Sequence, residues 1–425
     1  MLSKEKYNNY IAILKSELVP ALGCTEPIAV AYAAAKAADT LGRMPERAEV
    51  WCSGNIIKNV KGVTVPNTGN QKGVNAAAIA GILSGKADAG LEVLEGMSSE
   101  KIAAIRELLQ QDFCITHLAQ GVENLYIDVK VFAGEQSAEV CIKTTHTNIV
   151  KIIKNGAVLF EKPEKAQDSN PLQGDRSLLN VKDILEFADT ANLDDVSHIL
   201  ADQIQMNTAI SKEGLCHQYG VNVGKTMLQC YGYDVKVRAA AKAAAGSDAR
   251  MSGCSMPVVI NSGSGNQGIT VSLPVIEYAN ELKVTKEKMY RALVVSNLVA
   301  IHQKTAIGRL SAYCGAVSAA CGSGAGITYL CGGDYDDVSR TIINTIANVG
   351  GIVCDGAKPS CAAKIAASVD AAILAHHLSF EGKAFASGEG IVKDDVEETI
   401  RSVGRMGRDG MKSTDVEILN IMIDN

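Results

Sequence analysis

Two glycine- and alanine-rich stretches decide the expected fold of the chain. Residues 312–326 have the sequence AYCGAVSAACGSGAG, and residues 351–366 have the sequence GIVCDGAKPSCAAKIA. Helices made of such small apolar residues have no polar face and are typical of the centre of a large helical domain. Cys314, Cys354 and Cys361 punctuate these stretches near their glycine turns. The stretches therefore predict a helical core with thiols at its turns.

The spacing of these three cysteines is compatible with two interpretations. Gly356 and Pro359 form a turn between Cys354 and Cys361 that can direct both thiols towards one centre, and Cys314 lies at another glycine turn. Free cysteines are also among the most buried residues and often fill core space as small apolar groups. Spacing alone leaves metal binding and core packing open.

Composition and charge narrow the class of protein. The chain has 425 residues, 47% of them apolar, which is enough for a large core. Its 41 Lys and Arg residues and 47 Asp and Glu residues are scattered without a basic stripe, so nucleic acid is not an expected partner. The N-terminal sequence MLSKEKYNNYIAILKSEL lacks the apolar core of a signal peptide, and no later run has the length of a membrane span. We expect a cytoplasmic protein whose twelve cysteines are mostly reduced.

A change of periodicity indicates a separate module. Residues 125–160 alternate apolar and polar side chains, which predicts an antiparallel hairpin or meander. Residues 48–65 are predicted to form two short strands around the SGN turn, and the polar sequence PEKAQDSNPLQGDRS at 163–177 is predicted to be a linker.

The expected fold class is α+β. A mainly helical catalytic domain is predicted to comprise residues 1–45 and 176–425, and a smaller α/β module or lid, residues 46–175, is inserted between them. In the first segment, Thr25 is the predicted N-cap of an alanine-rich helix that follows the GCTEP turn. Cys24 then lies at a helix start, where unpaired N–H groups and the helix dipole favour the thiolate and lower its pKa.

The sequence GSGNQG at residues 263–268 is open to more than one interpretation. It matches a dinucleotide-binding fingerprint, but that site requires alternating strands and helices, and here the surroundings are helical and include Pro274. A glycine loop at a helix start can instead bind a small carboxylate through its N–H groups, with contacts from Asn266 and Gln267. Close helix packing explains the glycines equally well.

Other motifs give weaker signals. Paired CxxC, HExxH and nucleophile-elbow motifs are absent from the sequence, and His376 and His377 are adjacent and cannot share one helix face. Arg405 and Arg408 could face a substrate carboxylate, but a solvent-facing basic turn explains them better.

Five segments together resemble the L-cysteine desulfidase family, relatives of the iron–sulfur L-serine dehydratase α-chain, over nearly the whole chain. They are LVPALGCTEPIAVAYAAAKA at 18–37, SGNIIKNV at 53–60, SGSGNQGI at 262–269, the surroundings of Cys314, and GIVCDGAKPSCAAKIA at 351–366. The resemblance implies an oxygen-sensitive [4Fe–4S] cluster held by Cys314, Cys354 and Cys361. Cys321 and Cys331 remain possible substitutes for Cys314.

The resemblance also implies a carbon–sulfur lyase that eliminates sulfide from L-cysteine to give pyruvate, ammonia and sulfide. We expect Cys24 to act as the base that takes the Cα proton, and Asn55, Asn266 and Gln267 to orient a small amino-acid substrate. An iron–sulfur L-serine dehydratase and a non-catalytic small-molecule-binding protein are the alternatives. A homodimer is compatible with all three.

One feature departs from the dehydratase relatives, in which a C-terminal cysteine can occupy the open iron site. No cysteine follows Cys361 in this sequence. A different group, Cys24 or water, is therefore expected to cap the fourth iron when substrate is absent.

Overall fold

The computed structural model describes residues 2–163, 173–308 and 310–423, so most of the predicted linker lies outside the described residues. The helices are α1 (Lys4–Glu17), α2 (Thr25–Leu41), α3 (Gly54–Lys61), α4 (Val74–Ser84), α5 (Ser99–Gln110), α6 (Val181–Thr190), α7 (Ser197–Cys216), α8 (Val223–Tyr231), α9 (Val235–Met251), α10 (Gly265–Glu281), α11 (Lys286–Ile307), α12 (Gly315–Leu330), α13 (Tyr335–Val349), α14 (Cys361–Phe380), α15 (Val396–Arg405) and α16 (Lys412–Ile423). The strands are β1 (Pro20–Leu22), β2 (Arg47–Cys52), β3 (Cys114–Leu118), β4 (Tyr126–Ala133), β5 (Gln136–Lys143), β6 (Ile149–Lys154), β7 (Ala157–Glu161) and β8 (Pro257–Val259). The predicted α+β, mainly helical fold class is confirmed.

A six-stranded sheet forms the smaller module, with strand order β3-β2-β4-β5-β6-β7. β2 and β3 are parallel, and the other neighbours are antiparallel, which confirms the meander predicted over residues 125–160. Alternate residues of β4, namely Ile127, Val129 and Val131, are fully buried. They share one hydrophobic core with α2 and α4 because side chains at every second position of a strand lie on the same face.

Helix α2 packs against this sheet module, although the boundary predicted at residue 46 assigned α2 to the helical domain. Its apolar residues, including Ile28 and Leu41, belong to the core of the sheet module. An alanine-rich helix can contact neighbours on several faces, so the sequence of α2 did not determine which core it would join.

The second strand predicted within residues 48–65 is wrong, since β2 is followed directly by α3. Ser53 has extended backbone geometry at the N-cap, and Ile56 and Val60, one turn apart, are both buried. Local β-branched residues favour a strand, but burial of one helical face against the neighbouring core decides the conformation.

The helical domain is built around α12. This helix packs against α10, α11, α13 and α14, and almost all of its residues are buried. The central position predicted for the small-residue helices is therefore confirmed. Across the described ranges, no helix combines the length and the apolar character needed to cross a membrane.

A two-stranded antiparallel sheet joins distant parts of the chain. β1 pairs with β8, and Pro20 lies opposite Val259. Just beyond this pairing, the Thr25 hydroxyl donates to the carbonyl of Gly263 at 2.7 Å. The GCTEP turn and the GSGNQG segment are thereby held side by side, in a setting that differs from the parallel sheet of a dinucleotide fold.

Candidate active site

Four helices begin at one cavity of about 100 Å³. Cys24 is the N-cap of α2, Ser264 is the N-cap of α10, Cys314 is the N-cap of α12, and Cys361 is the first residue of α14; all four residues line the cavity. Helix N-termini present unpaired N–H groups and partial positive charge, which favour anionic groups. The fold therefore provides an electropositive backbone environment around several thiols.

Hydrogen bonds between two loops bring Cys314 and Cys354 together. The Cys314 N–H donates to the Ile352 carbonyl at 3.1 Å, and the Cys354 N–H donates to the Ala312 carbonyl at 2.6 Å. These bonds flank a bridge between Tyr313 and Val353 and form a short antiparallel ladder. The two predicted stretches that are separated along the chain thus meet as one unit at the cavity.

The three predicted ligand cysteines, Cys314, Cys354 and Cys361, all line this cavity, and none is in a disulfide. Burial and the nearby Cys354 raise the pKa of the Cys314 thiol to about 12, and burial raises the pKa of Cys361. Metal binding at these thiols would therefore release protons. Within the described ranges, no three His, Cys, Asp or Glu side chains are close enough to share a single metal ion.

Asn266 and Gln267, which were predicted to orient the substrate, also line the cavity. Asn266 Oδ1 accepts a hydrogen bond from Arg250 Nη1 at 3.1 Å, and Gln267 is buried with its Oε1 unpartnered among the described residues. A Cβ atom at Gly315 would lie 2.7 Å from Cδ of Gln267, so a larger residue after Cys314 would displace the Gln267 side chain from its present position. The GSGNQG segment and the Cys314 loop are therefore directly in contact.

The low pKa expected for Cys24 is wrong. The residue does lie at a helix start, as N-cap in place of Thr25, but it is 2% exposed and its thiol donates to Glu26 Oε2 at 3.0 Å. Burial, with the Glu26 carboxylate second, raises the pKa of Cys24 well above its usual value, although the Arg250 charge lowers it. Desolvation and a neighbouring anion outweigh the helix dipole, so Cys24 is a thiol that donates a hydrogen bond.

Glu26 is the centre of a polar cluster that the sequence analysis missed. Its carboxylate accepts from Thr25 Oγ1 at 3.1 Å and from Asn59 Nδ2 at 3.0 Å, and His146 Nε2 lies 3.9 Å from Oε1. Burial alone would raise the pKa of Glu26, but the neighbouring His146 and the Cys24 thiol hold it at about 2. The cluster therefore places a carboxylate anion beside a thiol and an imidazole.

His146 reaches the cavity from the sheet module. It lies in the turn between β5 and β6 and is 6% exposed, and its Nε2 has no hydrogen-bond partner in the described parts of the chain. Asn59 comes from α3, the helix that was predicted to be a strand. Both the helical domain and the sheet module thus contribute polar groups to one site.

Arg250 and Lys304 are two further lining residues that the sequence analysis missed; both are buried. The sequence did contain a signal for Arg250, because it is a charged residue at the end of the alanine-rich helix α9. Glu26 stands in the GCTEP motif itself, where a carboxylate inside an apolar stretch is unusual. His146 had no such signal, because its position in the site depends entirely on how the sheet packs.

The structure separates Asn55 from the other predicted site residues. Asn55 lines a second cavity, where its Nδ2 donates to Asp415 Oδ2 at 2.7 Å. Asn59, one turn further along α3, contacts Glu26 instead. The difference follows from the helical conformation of this segment.

Three other residues that the sequence analysis weighed also lie apart from the first cavity. Cys321 is fully buried in the helical core, and Cys331 is exposed at the end of α12. Arg408 is exposed and pairs with Asp409 at 2.9 Å, as expected for a solvent-facing basic turn.

The fold and the site define an α+β protein with a cavity lined by thiols, a carboxylate, an imidazole and a guanidinium. The profile of the serine dehydratase alpha chain matches residues 88–420, and the chain belongs to this family. This membership supports a serine dehydratase-like lyase.

Full-length relatives carry a different name. The chain is 56% identical to a UPF0597 protein of Lachnoclostridium phytofermentans over 98% of this chain and 100% of the relative. It is 52% identical to a UPF0597 protein of Desulfitobacterium hafniense over 98% of this chain and 97% of the relative, and 41% identical to one of Bacteroides thetaiotaomicron over 99% of both. These names state no activity.

Proposed function

We propose that the protein is an iron–sulfur-dependent L-cysteine desulfidase, a lyase that converts L-cysteine to pyruvate, ammonia and sulfide. The observation that carries the proposal is that Cys314, Cys354 and Cys361, from three separate turns, line the same cavity as a buried acid–base cluster. A lyase needs both kinds of group, because a proton leaves Cα while the β-substituent departs with negative charge.

The three thiols fit a [4Fe–4S] cluster as its protein ligands. Thiolate is the ligand type that such clusters use, and each of three cysteines would bind a different iron atom, so the thiols need not converge on a single ion. The four helix N-termini around the cavity favour the negative charge of a thiolate-ligated group. When bound, the cluster supplies one iron without a cysteine ligand, a Lewis acid that stabilises negative charge on the leaving sulfur.

The side chains of the polar cluster divide the proton transfers between them. His146 is the proposed base for the Cα proton in place of Cys24, because its Nε2 is unpartnered among the described residues and the nearby Glu26 carboxylate stabilises the imidazolium that forms. Cys24 keeps its proton and is positioned by its hydrogen bond to Glu26 to donate to the departing sulfide. Cleavage of the Cβ–S bond leaves aminoacrylate, which hydrolyses in water to pyruvate and ammonia.

A serine dehydratase is the second candidate, favoured by the family description itself. It would use the same groups to expel hydroxide in place of sulfide. The cavity residues alone do not separate the two leaving groups, so substrate assays have to do so.

The test begins with protein purified without oxygen. We expect iron, inorganic sulfide and a broad absorbance near about 400 nm, together with stoichiometric sulfide and pyruvate from L-cysteine. The proposal requires a higher kcat/KM for L-cysteine than for L-serine. A higher kcat/KM for L-serine would establish the dehydratase instead. Protein without iron or without turnover of either amino acid would refute both candidates.

A further inference from the structure

Arg250 is a buried cation at the wall of the cavity. It lies in the last turn of α9 and is 2% exposed. Burial of a guanidinium costs several kcal/mol unless an anion compensates it, because the charge loses its hydration. In the described portion of the chain, no carboxylate lies within ion-pair distance of Arg250, so its charge is left without a direct partner.

The guanidinium is held in a fixed position with donors to spare. Nη1 donates to Asn266 Oδ1 at 3.1 Å, whereas Nε is buried and has no partner among the described residues. A Cβ atom at Gly265 would lie 2.7 Å from Cζ of Arg250. The glycine between Ser264 and Asn266 therefore leaves the space that the guanidinium occupies, and one function of the GSGNQG segment is to seat Arg250.

The acidic group on the same cavity wall is already engaged. Glu26 accepts hydrogen bonds from Cys24, Thr25 and Asn59. Its oxygens are therefore committed to that cluster, while Arg250 keeps unused N–H groups in a cavity large enough for a small molecule.

We propose that Arg250 binds the α-carboxylate of the substrate and makes the site specific for molecules that carry one. A guanidinium matches the planar carboxylate with two parallel N–H···O bonds, and these bonds are strongest where water is excluded. The carboxylate would also supply the counter-charge that Arg250 lacks. This assignment rests on the proposed lyase function, and it fixes the orientation of the amino acid, with the carboxylate end at α9 and the GSGNQG loop.

The experiment measures binding in place of turnover. L-Alanine has no leaving group and therefore binds without reacting, and L-alaninamide differs from it by loss of the carboxylate charge. Titration calorimetry of oxygen-free protein should show L-alanine binding about tenfold to a hundredfold more tightly than L-alaninamide. In Arg250→Gln the ratio of the two affinities should fall to about one. Lys304→Gln removes a second cation of the same cavity and should keep most of the preference for L-alanine.

Several outcomes would overturn the assignment. Wild-type protein without a preference, Arg250→Gln with the wild-type preference, or equal losses in Arg250→Gln and Lys304→Gln would each do so. Arg250→Lys is the second variant, for the case in which Arg250→Gln does not fold or loses its iron. Lysine keeps the positive charge but lacks the planar guanidinium. A wild-type preference for L-alanine in Arg250→Lys would contradict the proposal. Protein that prefers L-alanine but turns over neither L-cysteine nor L-serine would refute the lyase function and leave the Arg250 assignment intact.

Discussion

Two cavities share the lining residues Leu310 and Ser311 but differ in whether their polar groups have partners. In the smaller cavity, of about 100 Å³, five buried polar atoms lack hydrogen-bond partners among the described residues: Asn59 Oδ1, His146 Nε2, Arg250 Nε, Gln267 Oε1 and Tyr313 OH. Native proteins leave few such groups unpaired, because each costs free energy. All five belong to residues that line this cavity, so they are available to a ligand bound there.

The larger cavity, of about 540 Å³, has its charges paired. Lys58, which is 1% exposed, forms an ion pair with Asp415 on α16, and Asn55 donates to the same carboxylate. Arg408 on its rim pairs with Asp409. Asn55 Oδ1 is the exception, because this atom has no partner among the described residues. The small cavity thus keeps polar atoms without partners among the described residues, whereas the polar groups of the large cavity hold the C-terminal helix α16 against α3.

Replacing a cysteine of the small cavity should give the largest effect. Cys354→Ser exchanges a soft thiolate for a hydroxyl that binds iron poorly, so we expect loss of most of the iron and of nearly all sulfide release. Iron and inorganic sulfide per chain, measured without oxygen, give the readout. The control is Cys331→Ser, the same change at an exposed cysteine, which should keep the wild-type iron content. Full iron and activity in Cys354→Ser would contradict the assignment of the small cavity as the cluster site.

Replacing His146 should give the second largest effect. Loss of a general base lowers the rate by roughly a hundredfold to ten-thousandfold, so His146→Gln should reduce kcat on L-cysteine by at least about a hundredfold while iron content stays normal. It should also lose exchange of the Cα proton with deuterium from solvent, measured by NMR.

Cys24→Ala is the matched comparison for the base. A thiol that only donates to the leaving sulfide is not needed for Cα exchange, so this variant should keep the exchange while kcat falls. If Cys24→Ala abolishes the exchange and His146→Gln retains it, the base is Cys24 after all.

Local sequence signals predicted one part of the site and missed the other. Cys24, Asn266, Gln267, Cys314 and Cys361 stand near glycines at helix starts, and Cys354 stands in the glycine-containing loop before α14. Such segments are recognisable from a few neighbouring residues. Arg250, Glu26 and His146 meet only after α9, α2 and the sheet have packed. Their chemistry was visible in the sequence, but their proximity was not.

The fold shows the same division between local and non-local information. The alternating pattern of residues 125–160 predicted strands β4 to β7. Strands β4 and β5 bury residues of one face in the core of the sheet module, whereas the residues of β7 are exposed. The segment after the SGN turn was predicted as strand, yet it forms helix α3 because its apolar residues one turn apart bury together against distant parts of the chain. That error also concealed the position of Asn59, which faces Glu26 only in the helical conformation.

The smallest effect on catalysis is expected in the large cavity. Asp415→Asn removes the charge that compensates the buried Lys58, and breaking a buried pair by one partner costs about 3 kcal/mol in the free energy of unfolding. Urea denaturation should show this loss, while kcat per folded, iron-loaded molecule stays within about twofold of wild type, since Asp415 lies outside the small cavity.

Two further variants test whether the loss of stability is specific to the Lys58–Asp415 pair and whether the large cavity is separate from the substrate. Glu123→Gln makes the same carboxylate-to-amide change at an exposed position on the rim of the large cavity and should change stability by less than about 0.5 kcal/mol. Asn55→Ala should leave the KM for L-cysteine within about twofold, because the side chain contacts Asp415 and not the polar cluster around Glu26. A large rise in KM in Asn55→Ala would mean that substrate reaches the large cavity, and the contrast between the two cavities would then fail.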